Sequence, residues 1–238
     1  MKALLLVLTL VLSSAQVGCG GLVQDGPIAG IDINPELVQQ GSFGDCWFLS
    51  VLIATAQARQ GALQSLFTRP GGKGLDVTVY SPLGWAERYP AIVPTDPIYG
   101  NVIDPNAFNW VGTLELAAQK VGFAGQISNG SDPIVGFGII GLSPSVLYSG
   151  KDPAVHSVLE AAYGTPTVAC TGPKVSTPEL VESHCYAVTS AGQDTVTLQN
   201  PWGVGQLGMV NIGSEAPNFF GISLEDFKTN ITLIVYVP

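Results

Sequence analysis

Residues 46–60 read Cys-Trp-Phe-Leu-Ser-Val-Leu-Ile-Ala-Thr-Ala-Gln-Ala-Arg-Gln, apolar on almost every side of a helical wheel. A helix of that kind has no solvated face and has to be buried. A second helical pattern covers residues 110–121, with Leu114, Leu116 and Ala117 on adjoining turns. Residues 77–80 and 85–93 have the short, β-prone make-up of strands, joined by a turn at 82–84. Residues 122–150 are broken repeatedly by glycine and proline, which predicts a hinge or irregular surface stretch. After a short helical pattern at 156–163 come β-rich runs at 165–171, 184–190, 195–199, 207–212 and 232–237. Their spacing predicts an antiparallel sheet or barrel. The fold class is therefore α+β, with a mainly helical region at 36–126, a β-rich region at 127–238, and a boundary near Ile127.

Residues 20–35 are rich in Gly, Pro and Asp and keep no period, so 19–35 is read as an entry segment. Before it, Lys2 precedes an apolar run over residues 3–12, and the small residues Ser13 and Ala15 follow. That is the plan of an export signal over 1–18, because ten apolar residues are too few to span a bilayer. Cys19, after Val17 and Gly18, stands where a lipoprotein cysteine would, although Gln16 occupies a position that such signals fill with an aliphatic residue. Soluble secretion and membrane anchoring through Cys19 both stay open.

At 238 residues, 46% hydrophobic and 11% charged, the chain can bury a core large enough to offset its ordering entropy. A formal charge of −9 with scattered Lys and Arg excludes the electrostatic footprint of a nucleic-acid binder. Four cysteines, at 19, 46, 170 and 185, make no disulfide scaffold. A Cys170–Cys185 bridge and two buried thiols are equally compatible with the sequence.

Cys46 follows the turn-forming Gly41-Ser42-Phe43-Gly44-Asp45 and begins the predicted buried helix. Free amides and the positive end of the helix dipole would face its sulfur and lower the thiol pKa. Of the two histidines, His184 opens a β-rich run that ends in Asn200-Pro201-Trp202-Gly203. His184 and Asn200 follow Cys46 by 138 and 154 positions, an order and separation close to the papain-like arrangement. Asn200 would accept the imidazole N–H and fix the tautomer, with Trp202 shielding that bond. Gln40, six residues before the nucleophile, could bend round the turn to donate to an oxyanion. His156, in a helical pattern far from these residues, is read as structural.

Three linked segments resemble calpains. Residues 40–49, Gln-Gly-Ser-Phe-Gly-Asp-Cys-Trp-Phe-Leu, look like the nucleophile motif. His184-Cys185-Tyr186-Ala187-Val188-Thr189 resembles the histidine strand, and Leu198-Gln199-Asn200-Pro201-Trp202-Gly203 the asparagine motif. Residues 110–121 and 223–227 are fainter echoes. The resemblance implies a papain-like two-lobed fold, a Cys46–His184–Asn200 triad with Gln40 at the oxyanion, and endopeptidase chemistry through a thioester on a protein or peptide substrate; a monomer is expected. It also implies calcium, whose ligands are not matched: Leu37 stands where calpains carry an acid, and Val204-Gly205-Gln206-Leu207-Gly208 replaces an acidic, Trp-rich loop. No cofactor or metal ligand is otherwise evident. Two further readings remain, acyl transfer from the same thioester and a catalytically silent module that keeps the cleft for binding.

Overall fold

The computed structural model describes residues 31–70, 74–96, 98–102, 107–203 and 218–238. The export signal, Cys19, the loop at 204–208 and the expected strand at 207–212 lie outside them. The chain is a mixture of helix and antiparallel sheet, an α+β fold.

Helix α1, Cys46–Gln64, is the predicted buried helix, carried one turn further and bent at Arg59, where the backbone leaves helical geometry. Residues 47–56 are all buried. Around its N-terminal end β1 (Val38–Gln39) pairs with β5 (Asn101–Val102). Three strands, β2 (Phe67–Thr68), β3 (Asp76–Tyr80) and β4 (Ala86–Pro90), form a second small antiparallel sheet. Helix α2, Trp110–Ala118, stops earlier than its pattern predicted and widens into a turn over Gln119–Phe123, where Gly122 takes φ +119°.

The expectation of irregular structure across 122–150 is corrected. The stretch contains α3 (Ala124–Asn129), α4 (Pro133–Ile139) and β6 (Ser145–Leu147). Its Gly and Pro residues punctuate short elements rather than dissolve them. Asp132 caps α4 by accepting from the Ile134 N–H at 2.8 Å, and Pro133 sits in the first turn, where its missing N–H costs nothing. Ile127 is buried inside α3, and the cluster around α1 continues to Ile140.

The remaining strands join β6 in a six-stranded antiparallel sheet, in the order β10-β9-β8-β7-β11-β6. Strands β7 (Thr167–Thr171), β8 (Cys185–Ala191), β9 (Thr195–Gln199) and β11 (Ile231–Tyr236) fall on predicted β-rich runs. Strand β10, Phe219–Ser223, was not foreseen, and α5, Val155–Ala161, is the short helix expected near 156. Helix α6, Leu224–Asn230, is capped by Ser223, which accepts from the Asp226 N–H at 3.0 Å and donates to its carboxylate at 2.6 Å.

Strand alternation divides the side chains between two cores. Val168, Cys170, Cys185, Ala187 and Val235 join the cluster around α1, while Ala169, Tyr186, Val188, Leu198 and Ile234 pack with α5 and α6 residues such as Leu159 and Phe227. Ser50 secures α1 to the sheet by donating to the Cys185 carbonyl at 2.9 Å, and Gln57 donates to the Thr189 carbonyl at 3.2 Å. Cys170 and Cys185, directly opposite in register, are joined as a disulfide. Among the described residues no helix is long and apolar enough to cross a membrane.

The bridge closes a loop of 15 residues, and restricting such a loop in the unfolded chain is worth about 3 kcal/mol. Replacing both cysteines by alanine should lower the unfolding free energy by that order, measured by urea titration in oxidising buffer. An unchanged midpoint would show that the bridge constrains nothing the sheet does not already hold.

Candidate active site

The turn before α1 is set by close backbone contact. A Cβ on Gly41 would overlap the carbonyls of Ile98 and Tyr99, and the Ser42 N–H donates to the Ile98 oxygen at 2.9 Å. The Asp45 carbonyl accepts the Phe48 and Leu49 N–H groups and starts the helix. The first helical amides are thereby left without intrahelical partners at the Cys46 end. Cys46, half-buried, is the free cysteine of the described residues, and its sulfur faces the backbone amides of Cys185, Trp47 and Cys46 itself. The Cys185 amide brings the helix start against the strand that follows His184.

His184 is 3% exposed. Its Nε2 lies 2.9 Å from Asn200 Oδ1, and since that oxygen can only accept, Nε2 carries the proton. Nδ1 is then the nitrogen left to take a proton from a thiol. Asn200 Oδ1 also accepts the Trp202 N–H at 3.1 Å, which fixes the amide. The Trp202 ring lies 4.6 Å from the imidazole centroid and Tyr186 meets it edge-on at 4.8 Å, so the bond is walled off from water. Among the described residues, no hydrogen bond joins the Cys46 thiol to the His184 ring.

The backbone at His184 is tightly prescribed. Its N–H donates to Thr171 Oγ1 at 3.0 Å and its carbonyl accepts the Thr171 N–H at 2.9 Å. Ser183, just before it, takes φ +52°, a conformation that costs a non-glycine residue energy and persists only where the surroundings over-determine it. The asparagine turn returns to the nucleophile side: the Gln40 N–H donates to the Pro201 carbonyl at 2.8 Å. Gly203, at φ +74°, sits so close to β1 that a Cβ would come within 2.9 Å of the Val38 carbonyl. Gln40 itself is buried; its amide donates to the Phe43 carbonyl at 2.6 Å, so it is engaged within its own turn. His156 is remote and exposed, 3.1 Å from Glu160 one helical turn on.

This chain is similar to a calpain. Calpain-13 of Rattus norvegicus is 28% identical over 196 residues, a match covering 70% of this chain. The chain spans only 29% of that protein's length. No family model matches the chain.

Electrostatics depart from the expectation of a thiolate at the helix start. Burial pushes the Cys46 thiol up to about 11; the Cys185 amide opposes the rise, the Asp45 charge adds to it, and the Trp47 and Cys46 amides oppose it. Burial likewise takes His184 down to about 4, against the Asn200 bond, which favours the imidazolium. Desolvation outweighs the helix terminus here, and the resting pair is a neutral thiol and a neutral imidazole. The sequence reading also passed over Asp45 and Glu115, both fully buried. One signal was available: Glu115 is the single acid in an otherwise apolar helix. Nothing in the sequence singled out Ser183.

The histidine makes a signed prediction. An imidazole whose folded value lies below its unfolded 6.5 stabilises the fold fully above pH 6.5, and that contribution is lost as pH falls toward 4. A drop of that size corresponds to about 3 kcal/mol. Urea unfolding between pH 7.5 and 4.5 should show this acid lability in the native chain and a flatter profile in His184→Gln; parallel profiles would place the histidine in contact with water.

Proposed function

We propose that the chain is a calpain-type cysteine endopeptidase with a papain-like two-lobed arrangement, in which Cys46 is the nucleophile, His184 its base and Asn200 the group that orients the base. The observation that carries this is the shielded 2.9 Å bond from His184 Nε2 to Asn200 Oδ1, on the strand whose next amide faces the sulfur of a helix-start cysteine. The likeness to calpain-13 supports it. Because the resting pair is neutral, His184 acts as a general base: Nδ1 takes the thiol proton as sulfur attacks the peptide carbonyl. The Cys46 N–H and the Gln40 amide, released from Phe43, would receive the oxyanion. The imidazolium then protonates the leaving amine, and water hydrolyses the thioester.

Calcium is not assigned a role. Leu37 stands where calpains carry an acid, and calcium takes about 6 to 8 oxygen ligands. The activity is proposed to be independent of it. A second reading, a silent module that uses the cleft for binding alone, is favoured by the neutral state of the half-buried Cys46 thiol and the buried His184 imidazole.

Casein hydrolysis, with and without chelator and beside Cys46→Ala, decides between them. Cleavage that survives chelation and vanishes in Cys46→Ala is expected. Loss in chelator that calcium restores would overturn the calcium assignment, and no cleavage in any condition would favour the silent module. Separately, Gln40→Ala removes a buried donor to the Phe43 carbonyl and should cost about 1–3 kcal/mol of stability, and where the variant stays folded it should lower turnover by about 10²- to 10³-fold; unaltered turnover would remove Gln40 from the oxyanion site.

A further inference from the structure

Asp45 and Glu115 are two fully buried carboxyls within hydrogen-bonding reach of each other. Glu115 Oε2 accepts the Gly100 N–H at 2.6 Å. Glu115 Oε1 and the Asp45 carboxylate oxygens have no place in a network of ordinary donors and acceptors, because two ionised carboxylates offer only acceptors to one another. An isolated buried charge beside a second like charge is costly enough that the pair holds a proton instead. Oε2 is occupied by Gly100, so Oε1 is the atom left to carry it. The nearby Gln40 amide favours the charged form of Asp45 and opposes only a small part of the rise that burial causes.

We propose that Asp45 and Glu115 are positioning residues that share one proton, Glu115 Oε1 donating to the Asp45 carboxylate, and that this bond locks the nucleophile turn to α2 and to the segment before β5. Asp45 is the N-cap residue of α1 and precedes Cys46 directly. Gly100 adjoins β5, which pairs with β1 just before Gln40, and its carbonyl accepts from Asn109 at 3.3 Å at the start of α2. A Cβ on Gly100 would fall 2.9 Å from Glu115 Oε2, so the backbone is shaped around this carboxyl. One acid thus ties together the ribbon, the second helix and the start of the first.

Burial raises both carboxyls, Asp45 to about 6 and Glu115 well above its ordinary value, with the Asp45 charge adding to the latter. The titratable groups facing the pair are the Cys46 thiol from α1 and the Tyr99 phenol from the segment before β5, with Asp96 acting on Tyr99. Carboxyls raised on folding stabilise most below the unfolded carboxyl range, near pH 4, and that contribution is lost as pH rises through their folded values. This sign is opposite to that of His184. When the last shared proton leaves, the bond becomes a repulsion next to the nucleophile.

Infrared difference spectra of the whole chain should show a protonated carboxyl at pH 7, absent in Glu115→Gln. Its absence from the native chain, or persistence in Glu115→Gln, overturns the proposal. Glu115→Gln supplies an amide N–H in place of the proton and should flatten the loss of unfolding temperature between pH 6 and 9; an unchanged slope also overturns it. Iodoacetamide labelling of Cys46, which needs no peptidase activity, should differ about tenfold between Glu115→Ala and the native chain and return to the native rate in Glu115→Gln. Equal labelling in all three would show that the pair does not position the cysteine. The casein arm rests on the peptidase reading: Glu115→Ala should lower kcat on the order of 10²-fold with KM little changed, rescued by Glu115→Gln. Absence of casein cleavage in the native chain would fail that reading alone, and the spectra and labelling would still decide the proton. If Glu115→Ala does not fold, the native and Glu115→Gln spectra carry the decision.

Discussion

Everything at this site depends on the seating of α1 on one face of the six-stranded sheet. The helix is apolar through its first three turns, so its position is fixed by packing rather than by a solvated stripe. Ser50, on that buried surface, donates its hydroxyl to the Cys185 carbonyl rather than back to its own helix, and this sets the helix against β8 in one register. A slip along the strand would leave a buried hydroxyl and a buried carbonyl unpaired, at a cost of about 1–3 kcal/mol for each. The cysteine at one end of the helix and the histidine beside β8 are thereby placed relative to each other from the interior outward.

Dryness has a second effect, on charge. The surroundings that hold His184 against Asn200 also deny the imidazole its proton, and those that hold Cys46 under three amides deny the thiol its ionisation. A helix terminus offers only partial charges, and these lose to desolvation when solvent is mostly gone. The two carboxyls behind Cys46 obey the same rule: among the described residues neither meets a cation, and a shared proton is the neutraliser within reach. The region is thus built of neutral hydrogen-bonded pairs, with charge appearing only when a reacting partner supplies a reason for it.

Much of this was legible in the sequence because the strongest signals were local. The apolar run after Cys46 pointed to a buried helix, and the β-prone runs at 165–171, 184–190, 195–199 and 232–237 did become strands. His184 and Asn200 were drawn together by spacing and by the Asn-Pro-Trp-Gly turn, and their bond is present. What escaped was non-local or context-bound. The glycines and prolines of 122–150 looked like breakers, yet Pro133 opens a helix and Gly122, Gly130 and Gly141 adopt positive φ between short elements. Strand β10 was hidden because Phe219–Ser223 has a glycine at its centre and gains strand form by pairing with β9. Glu115 stood out as a lone acid, but only its partner, contributed from 70 residues away, gives it meaning.

The order of strands carries a consequence in time. Strand β11, residues 231–236, lies between β6 and β7, so an interior position of the sheet is filled by the stretch that leaves the ribosome after all its neighbours. Until then β7 has an open edge on that side, and the histidine strand beside it belongs to an unfinished sheet. Pairings across such long separations make folding slow, because loop closure must precede the contacts that reward it. A nascent chain that has already formed α1 therefore holds Cys46 before His184 is framed, and synthesis itself keeps the two apart until the sheet is whole.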